Sequence, residues 1–295
     1  MADVDWELRE TGPPEAECTV LLLPGGLCGA GSYAEVMAEP VLSGTRLVAA
    51  TLPGNAGAPP LSDYSVENYA RVTTELAKQI SADVVVGYSC GASVAFEMVV
   101  SGSFTGPVVL LGISLSSKDE SGFFRGLIRS GKVLGSAPTR LLATVAGSMI
   151  KRTELPAERK HELQEDFRKN VPQDTMRALS AYVSWLHQLE RPAERLCGAG
   201  VPTWIVHAEK GDGGLTDDER RTLEACQHTS VVTIPGNVFF LPNEASARIA
   251  GIVVEAVGQT SSMGCSFNAR TADPALAVQR RSGQYSWHRQ HRHRC

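Results

Sequence analysis

DVVVGYSCG, residues 83–91, passes from one kind of secondary structure to another at a single residue. Residues 83–88 form a short continuous apolar run, the pattern of a strand buried on both faces of a parallel sheet. Residues 92–100 are apolar at helical spacing. The junction, Gly87-Tyr88-Ser89-Cys90-Gly91, is a G-x-S-x-G pattern, in which a serine on a sharp strand-to-helix turn has its hydroxyl lifted clear of the sheet. Gly87 and Gly91 give the turn room. A helix beginning at Cys90 aims the Cys90 N–H at the place where an oxyanion would form.

The same kind of run recurs on either side of this stretch. Residues 18–23, 46–52, 107–112, 203–207 and 230–234 are all continuous and rich in Val, Leu and Ile. Helical patterns alternate with them, at 66–80, at 92–100, at 217–225 behind Thr216 as N-cap, and at 244–257 behind Asn243 as N-cap. Such alternation predicts an α/β fold with right-handed crossovers. Between Ser114 and Gly200 the strands stop, and residues 123–134, 139–150, 157–170 and 174–189 are helical in pattern. This stretch reads as a helical cap inserted over the carboxyl edge of the sheet. The expected organisation is a core of residues 1–113 and 201–258, a cap of 114–200 and a disordered basic tail of 259–295.

Composition narrows the function. The 295 residues are 43% hydrophobic and 20% charged, which excludes a collagen, a coiled coil and a wholly disordered chain. The net charge of −4 is unevenly spread: the tail carries +5 and residues 1–258 carry −9. An acidic body repels phosphate, so no nucleic-acid partner is expected. No apolar run approaches the roughly 18 residues of a membrane span, and the N-terminus is acidic where a signal peptide is basic. A cytoplasmic protein without a membrane partner is the expectation. The seven cysteines, at 18, 28, 90, 197, 226, 265 and 295, form no C-x-x-C pair, so reduced thiols and no metal centre are expected. Gly25-Gly26-Leu27-Cys28-Gly29 does not fit G-x-G-x-x-G, which argues against a dinucleotide. No cofactor is implied.

With the serine turn, the Pro24-Gly25-Gly26-Leu27 stretch after an earlier strand and the strand series in hand, the chain resembles the α/β-hydrolase superfamily over residues 17–258. The resemblance implies a mostly parallel sheet flanked by helices, with an inserted helical cap. It implies Ser89 as nucleophile, with the N–H groups of Cys90 and Gly26, or of Leu27 on a one-residue shift, as oxyanion donors. The family's order is serine, then acid, then histidine. The acid belongs after the run 203–207, where Asp212 stands one residue late and Glu209 is the other carboxylate. The histidine belongs in residues 236–244, which contain none; Phe239 takes its position. Of His161, His187, His207 and His228, His207 is nearest the expected site and is the candidate base. Phe239, Phe240 and Tyr88 are expected to line an apolar substrate pocket. The function implied is hydrolysis of an ester, thioester or lactone of a small apolar molecule through Ser89 with an incomplete triad. Two alternatives stand beside it: a non-hydrolytic cyclisation or elimination in the same capped pocket, and a catalytically inactive ligand-binding relative.

Overall fold

A computed structural model describes residues 4–116, 147–148, 150–211 and 213–271. Seven strands form one sheet: β1 (Leu8–Thr11), β2 (Thr19–Leu23), β3 (Arg46–Ala50), β4 (Val84–Tyr88), β5 (Val108–Leu111), β6 (Thr203–Gly211) and β7 (Thr229–Val238). Their order is β1-β3-β2-β4-β5-β6-β7. Every pairing is parallel except β1 with β3. The chain leaves β2 toward β3 on one side and returns to place β4 on the other. The carboxyl ends of β2 and β4 therefore flank the crevice where the strand order reverses, the place where open α/β sheets bind ligands.

The continuous apolar runs are strands because both faces are covered. Val20, Leu22, Val84, Val86, Val109 and Val206 share one core with α1 (Ala34–Met37) and the later helix Ser246–Thr271. Leu21, Leu23, Val85, Leu110 and Ile205 alternate onto the other face, against α2 (Val66–Gln79) and α3 (Cys90–Val100). Ser65 caps α2 by accepting the Asn68 N–H at 3.3 Å, a contact worth about 1 kcal/mol.

Between β5 and β6 the described chain holds helical residues at 147–148 and 150–152, then α4 (Ala157–Lys169), α5 (Pro172–Gln188) and α6 (Pro192–Ala199). The helices read at 157–170 and 174–189 are thus present, whereas 123–134 and nearly all of 139–150 lie outside the described residues. After β6 come α7 (Asp217–Glu224), α8 (Leu241–Glu244) and α9 (Ser246–Thr271). Thr216 caps α7 in a full capping box with Glu219.

Several expectations need correcting. Asn243 is not an N-cap; it lies inside α8, and its side chain donates to Ser32 O at 2.9 Å and to Glu35 Oε2 at 2.7 Å. Helix α9 is assigned over Ser246–Thr271, and the chain divides into compact units at Thr260/Ser261, near the boundary drawn at Gly258. The exposed edge strand β1, with sequence LRET, has no apolar run to announce it. Cys197 and Cys226 are not reduced thiols. The ends of α6 and α7 bring their Cα atoms to 5.8 Å and the two form a disulfide. Among the described residues, no helix is long and apolar enough to cross a membrane.

Candidate active site

One residue separates β4 from α3. Ser89 stands at φ +49°, ψ −114°, backbone that a residue with a side chain adopts at a cost of about 1–3 kcal/mol. The surroundings hold it there. Its N–H donates to Leu111 O at 2.8 Å, and its carbonyl accepts from Ala92 and Ser93 at 2.9 and 3.1 Å. Both flanking glycines are sterically required. A Cβ at Gly87 would stand 2.3 Å from Gly91 O, and one at Gly91 would stand 2.3 Å from Leu23 O. Ser89 is half-buried, at the N-terminus of an 11-residue helix whose dipole favours negative charge.

The loop after β2 lies against this turn. A Cβ at Gly25 would stand 3.0 Å from the Tyr88 ring and 3.5 Å from Ser89 Cβ; one at Gly26 would stand 3.7 Å from Cys90 Cβ. The Cys90 side chain packs against the apolar core beside α2 and α3. The Leu27 N–H is engaged elsewhere, donating to Asn55 Oδ1 at 2.8 Å. Of the two expected second donors, Leu27 thus has its N–H committed to another partner.

The strands that deliver the acid and histidine loops are longer than their apolar runs. β6 and β7 stay paired past an irregularity between Ala208 and Lys210, with Lys210 opposite Asn237 and Gly211 opposite Val238. Glu209 is exposed and accepts the Gly236 N–H at 3.0 Å, which fastens this extension. Asp212 lies outside the described residues.

No hydrogen bond joins His207 to Ser89 among the described residues. By strand alternation it shares the face of Ile205, toward α7, with Arg220 among its electrostatic neighbours. It is 3% exposed, and neither ring nitrogen has a hydrogen-bond partner among the described residues. Burial, reinforced by the Arg220 charge, lowers its pKa to about 4. The other imidazoles are remote in character. His187 is exposed, its Nδ1 2.8 Å from Val183 O of its own helix; His161 is exposed, 3.7 Å from Glu165; His228 is exposed at the start of β7.

Phe239, Phe240 and Tyr88 do come together. The Tyr88 hydroxyl donates to Phe239 O at 2.7 Å. Glu244 Oε1 accepts the N–H groups of Phe239 and Phe240 at 3.0 and 2.7 Å, so one carboxylate fixes both residues. The two rings meet edge to face, 5.2 Å between centroids. Phe240 is buried in a cluster with Cys28, Ile150 and, from α4, Leu163 and Phe167; Leu27 and Phe239 pack at its margin. A separate groove of about 980 Å³ runs between the start of α2 and one face of α5, past Tyr64, Met176, Arg177 and Trp185, and includes none of the predicted site residues. Among the described residues, no three His, Cys, Asp or Glu side chains gather as a metal site.

Sequence reasoning missed two residues at this site, Asn55 and Asn170. Asn170 Nδ2 donates to Leu27 O at 2.9 Å, and its Oδ1 accepts the Ala56 N–H at 2.9 Å. No spacing rule marks them, because each acts on a backbone group far away in sequence.

No curated protein matches the sequence. Similar solved structures include a thioesterase domain from the curacin biosynthetic pathway, 19% identical with TM-score 0.65, covering 85% of this chain and 95% of that one. A thermophilic esterase from Thermogutta terrifontis is 15% identical with TM-score 0.66, covering 87% and 94%. An N-acyl homoserine lactonase complexed with N-hexanoyl homoserine is 16% identical with TM-score 0.67, covering 86% and 93%. At these identities the likeness is one of fold. The sequence model described as "Alpha/beta hydrolase family" matches residues 20–252, most of the chain, and the chain belongs to that family.

Proposed function

We propose that this chain is a serine-dependent acyl hydrolase working with a nucleophile and an oxyanion hole but without a delivered imidazole. The observation that carries the reading is the strained backbone of Ser89, held by Gly87 and Gly91 at the head of α3. Strain of that kind persists where the surroundings over-determine it, and it clusters at reactive sites. Ser89 Oγ attacks the acyl carbon, the tetrahedral oxyanion is held by the Cys90 and Gly26 N–H groups, and the carbonyl carbon's bond to the leaving oxygen or sulfur breaks; the Ser89 proton passes through water to the departing alkoxide or thiolate, giving an acyl-enzyme and a free alcohol or thiol. Water then releases the acid.

The substrate follows from what the site lacks. An amide nitrogen must be protonated to leave, which calls for a general acid. A thiolate, an activated alkoxide or a strained lactone oxygen leaves with less help. The substrate class is therefore an ester, thioester or lactone, and the apolar surroundings of Tyr88, Phe239 and Phe240 favour a small apolar acyl group. Proteins named as a thioesterase, an esterase and a lactonase stand among the similar structures, in support of this range. Helix α4, whose Leu163 and Phe167 pack onto Phe240, belongs to the cap over that pocket. In this reading His207 is a neutral core imidazole and not the base, and Phe239 occupies the base's position. An oxyanion hole and binding alone retain about 10³–10⁴-fold catalysis over water.

The second reading, non-hydrolytic chemistry or ligand binding in the same pocket, is favoured by Phe239 itself, which cannot accept a proton. Incubation with a p-nitrophenyl or thiophenyl ester of a short fatty acid separates the two. Without a base to activate water, deacylation lags acylation, so the expected result is an acyl adduct on Ser89 by intact mass, absent in Ser89→Ala. No adduct and no turnover beyond the Ser89→Ala level would favour the second reading.

A further inference from the structure

The turn that carries the Gly26 N–H is held in shape from outside. Residues 25–28 close with Cys28 N–H donating to Gly25 O at 3.2 Å, and Leu27 stands at φ +70°. A positive φ at the third residue of such a turn is the type II arrangement, which favours glycine there. Two carboxamides hold leucine in that place. Asn55 Oδ1 takes the Leu27 N–H at 2.8 Å, and Asn170 Nδ2 donates to the Leu27 carbonyl at 2.9 Å. The same Asn170 accepts, on Oδ1, the N–H of Ala56, which itself stands at φ +48°. One side chain thus bridges two left-handed non-glycine residues, one in the loop after β2 and one in the loop after β3.

Asn170 reaches them from another part of the chain. It is the C-cap of α4, where its Nδ2 also donates to the carbonyls of Asp166 and Phe167 at 2.9 and 3.2 Å. Its place is therefore set by the end of a helix that follows the insertion after β5. Three backbone groups of the turn are engaged: Gly25 O by Cys28, Leu27 N–H by Asn55, Leu27 O by Asn170. Gly26, which borders Cys90, is the residue whose orientation these contacts determine.

We propose that Asn170 is a positioning residue which, by pinning Leu27 and Ala56 together, aims the Gly26 N–H as oxyanion donor, so that docking of α4 completes the oxyanion hole. The proposal rests on the Ser89 reading above. It makes the hole a joint product of the sheet and the inserted helices, and it ties the site's competence to the presence of α4.

Three variants test it. Asn170→Ala removes both contacts. Asn170→Asp keeps an acceptor for Ala56 and loses the donor to Leu27, since an ionised carboxylate only accepts. Arg159→Gln is the control: it removes the 2.7 Å ion pair to Glu35 and the contact to Gly31 O that also fasten α4, and leaves the Asn170 contacts to Leu27 and Ala56 in place. Amide exchange at Leu27 and Cys28 is followed by NMR, alongside the second-order rate of fluorophosphonate labelling at Ser89 and the thermal midpoint. In both Asn170 variants the Leu27 and Cys28 amides should exchange at least about 10-fold faster, and labelling should slow by about 10- to 100-fold, approaching the loss of one oxyanion donor. Arg159→Gln should leave both unchanged. A purely structural Asn170 would lower the midpoint in both Asn170 variants and leave labelling of folded protein untouched, which overturns the proposal. Unchanged exchange at Leu27 and Cys28 overturns it as well. If wild-type Ser89 never labels while the Asn170 variants still release those amides, the serine reading fails and takes the oxyanion role with it, and the exchange data identify that case.

Discussion

Replacing Ser89 with glycine should make the protein more stable, although it removes the proposed nucleophile. At φ +49°, ψ −114°, the serine Cβ is held in backbone that costs about 1–3 kcal/mol, and glycine takes the same backbone without that penalty. Glycine also gives the unfolded chain more freedom, which offsets about 0.5–1 kcal/mol. The net gain is then between about 0 and 2.5 kcal/mol, centred near 1 kcal/mol, or up to roughly 4 °C in Tm for a chain of this size. Ser89→Ala keeps the Cβ and the strain, so it should stay within about 0.5 kcal/mol of wild type. Urea unfolding followed by tryptophan fluorescence measures the difference, since Trp185 and Trp204 are buried and change environment on unfolding. Equal m-values for the three proteins would show that the comparison concerns the native state. A glycine variant no more stable than the alanine variant would refute the argument, because the serine backbone would then carry no strain for function to explain.

Other expectations follow from the same structure. The disulfide closes a segment of 29 residues, so reduction, or Cys197→Ser, should cost about 3–4 kcal/mol, seen as a lower urea midpoint with dithiothreitol and no effect of dithiothreitol on the variant. His207, with a pKa of about 4 when folded, favours the neutral form in the native state. Its contribution is complete above the unfolded value near 6.5 and is lost as pH falls toward 4, by up to about 3 kcal/mol; His207→Gln should flatten stability between those pH values relative to wild type. Phe239→His places an imidazole where the family carries its base, and should raise ester turnover by at least about 10-fold; an unchanged rate would show that position 239 does not face Ser89.

The sequence made the sheet legible because its strands are buried on both faces. β2, β4 and β5 are fully buried, and their apolar runs mark them to within a residue. The serine turn was legible for a related reason: only glycine fits at 87 and 91, where any Cβ would meet backbone oxygen. Where the structure relies on polar contacts across the chain, the sequence was silent. Residues 208–211 and 235–238 extend β6 and β7 without an apolar run, held by mutual pairing and by Glu209, so they read as loops. Leu27 and Ala56 adopt positive φ although neither is glycine, and the asparagines that hold them lie 28 and 114 residues away. The disulfide was missed because its cysteines are joined by the packing of α6 on α7, which spacing does not encode.

Fluorophosphonate labelling read by intact mass tests the central claim most directly. The account predicts one adduct on the folded wild-type protein, mapped to Ser89, formed slowly for want of a base and absent in Ser89→Ala. A folded wild-type protein that takes up no label, or one whose label persists in Ser89→Ala, would contradict it.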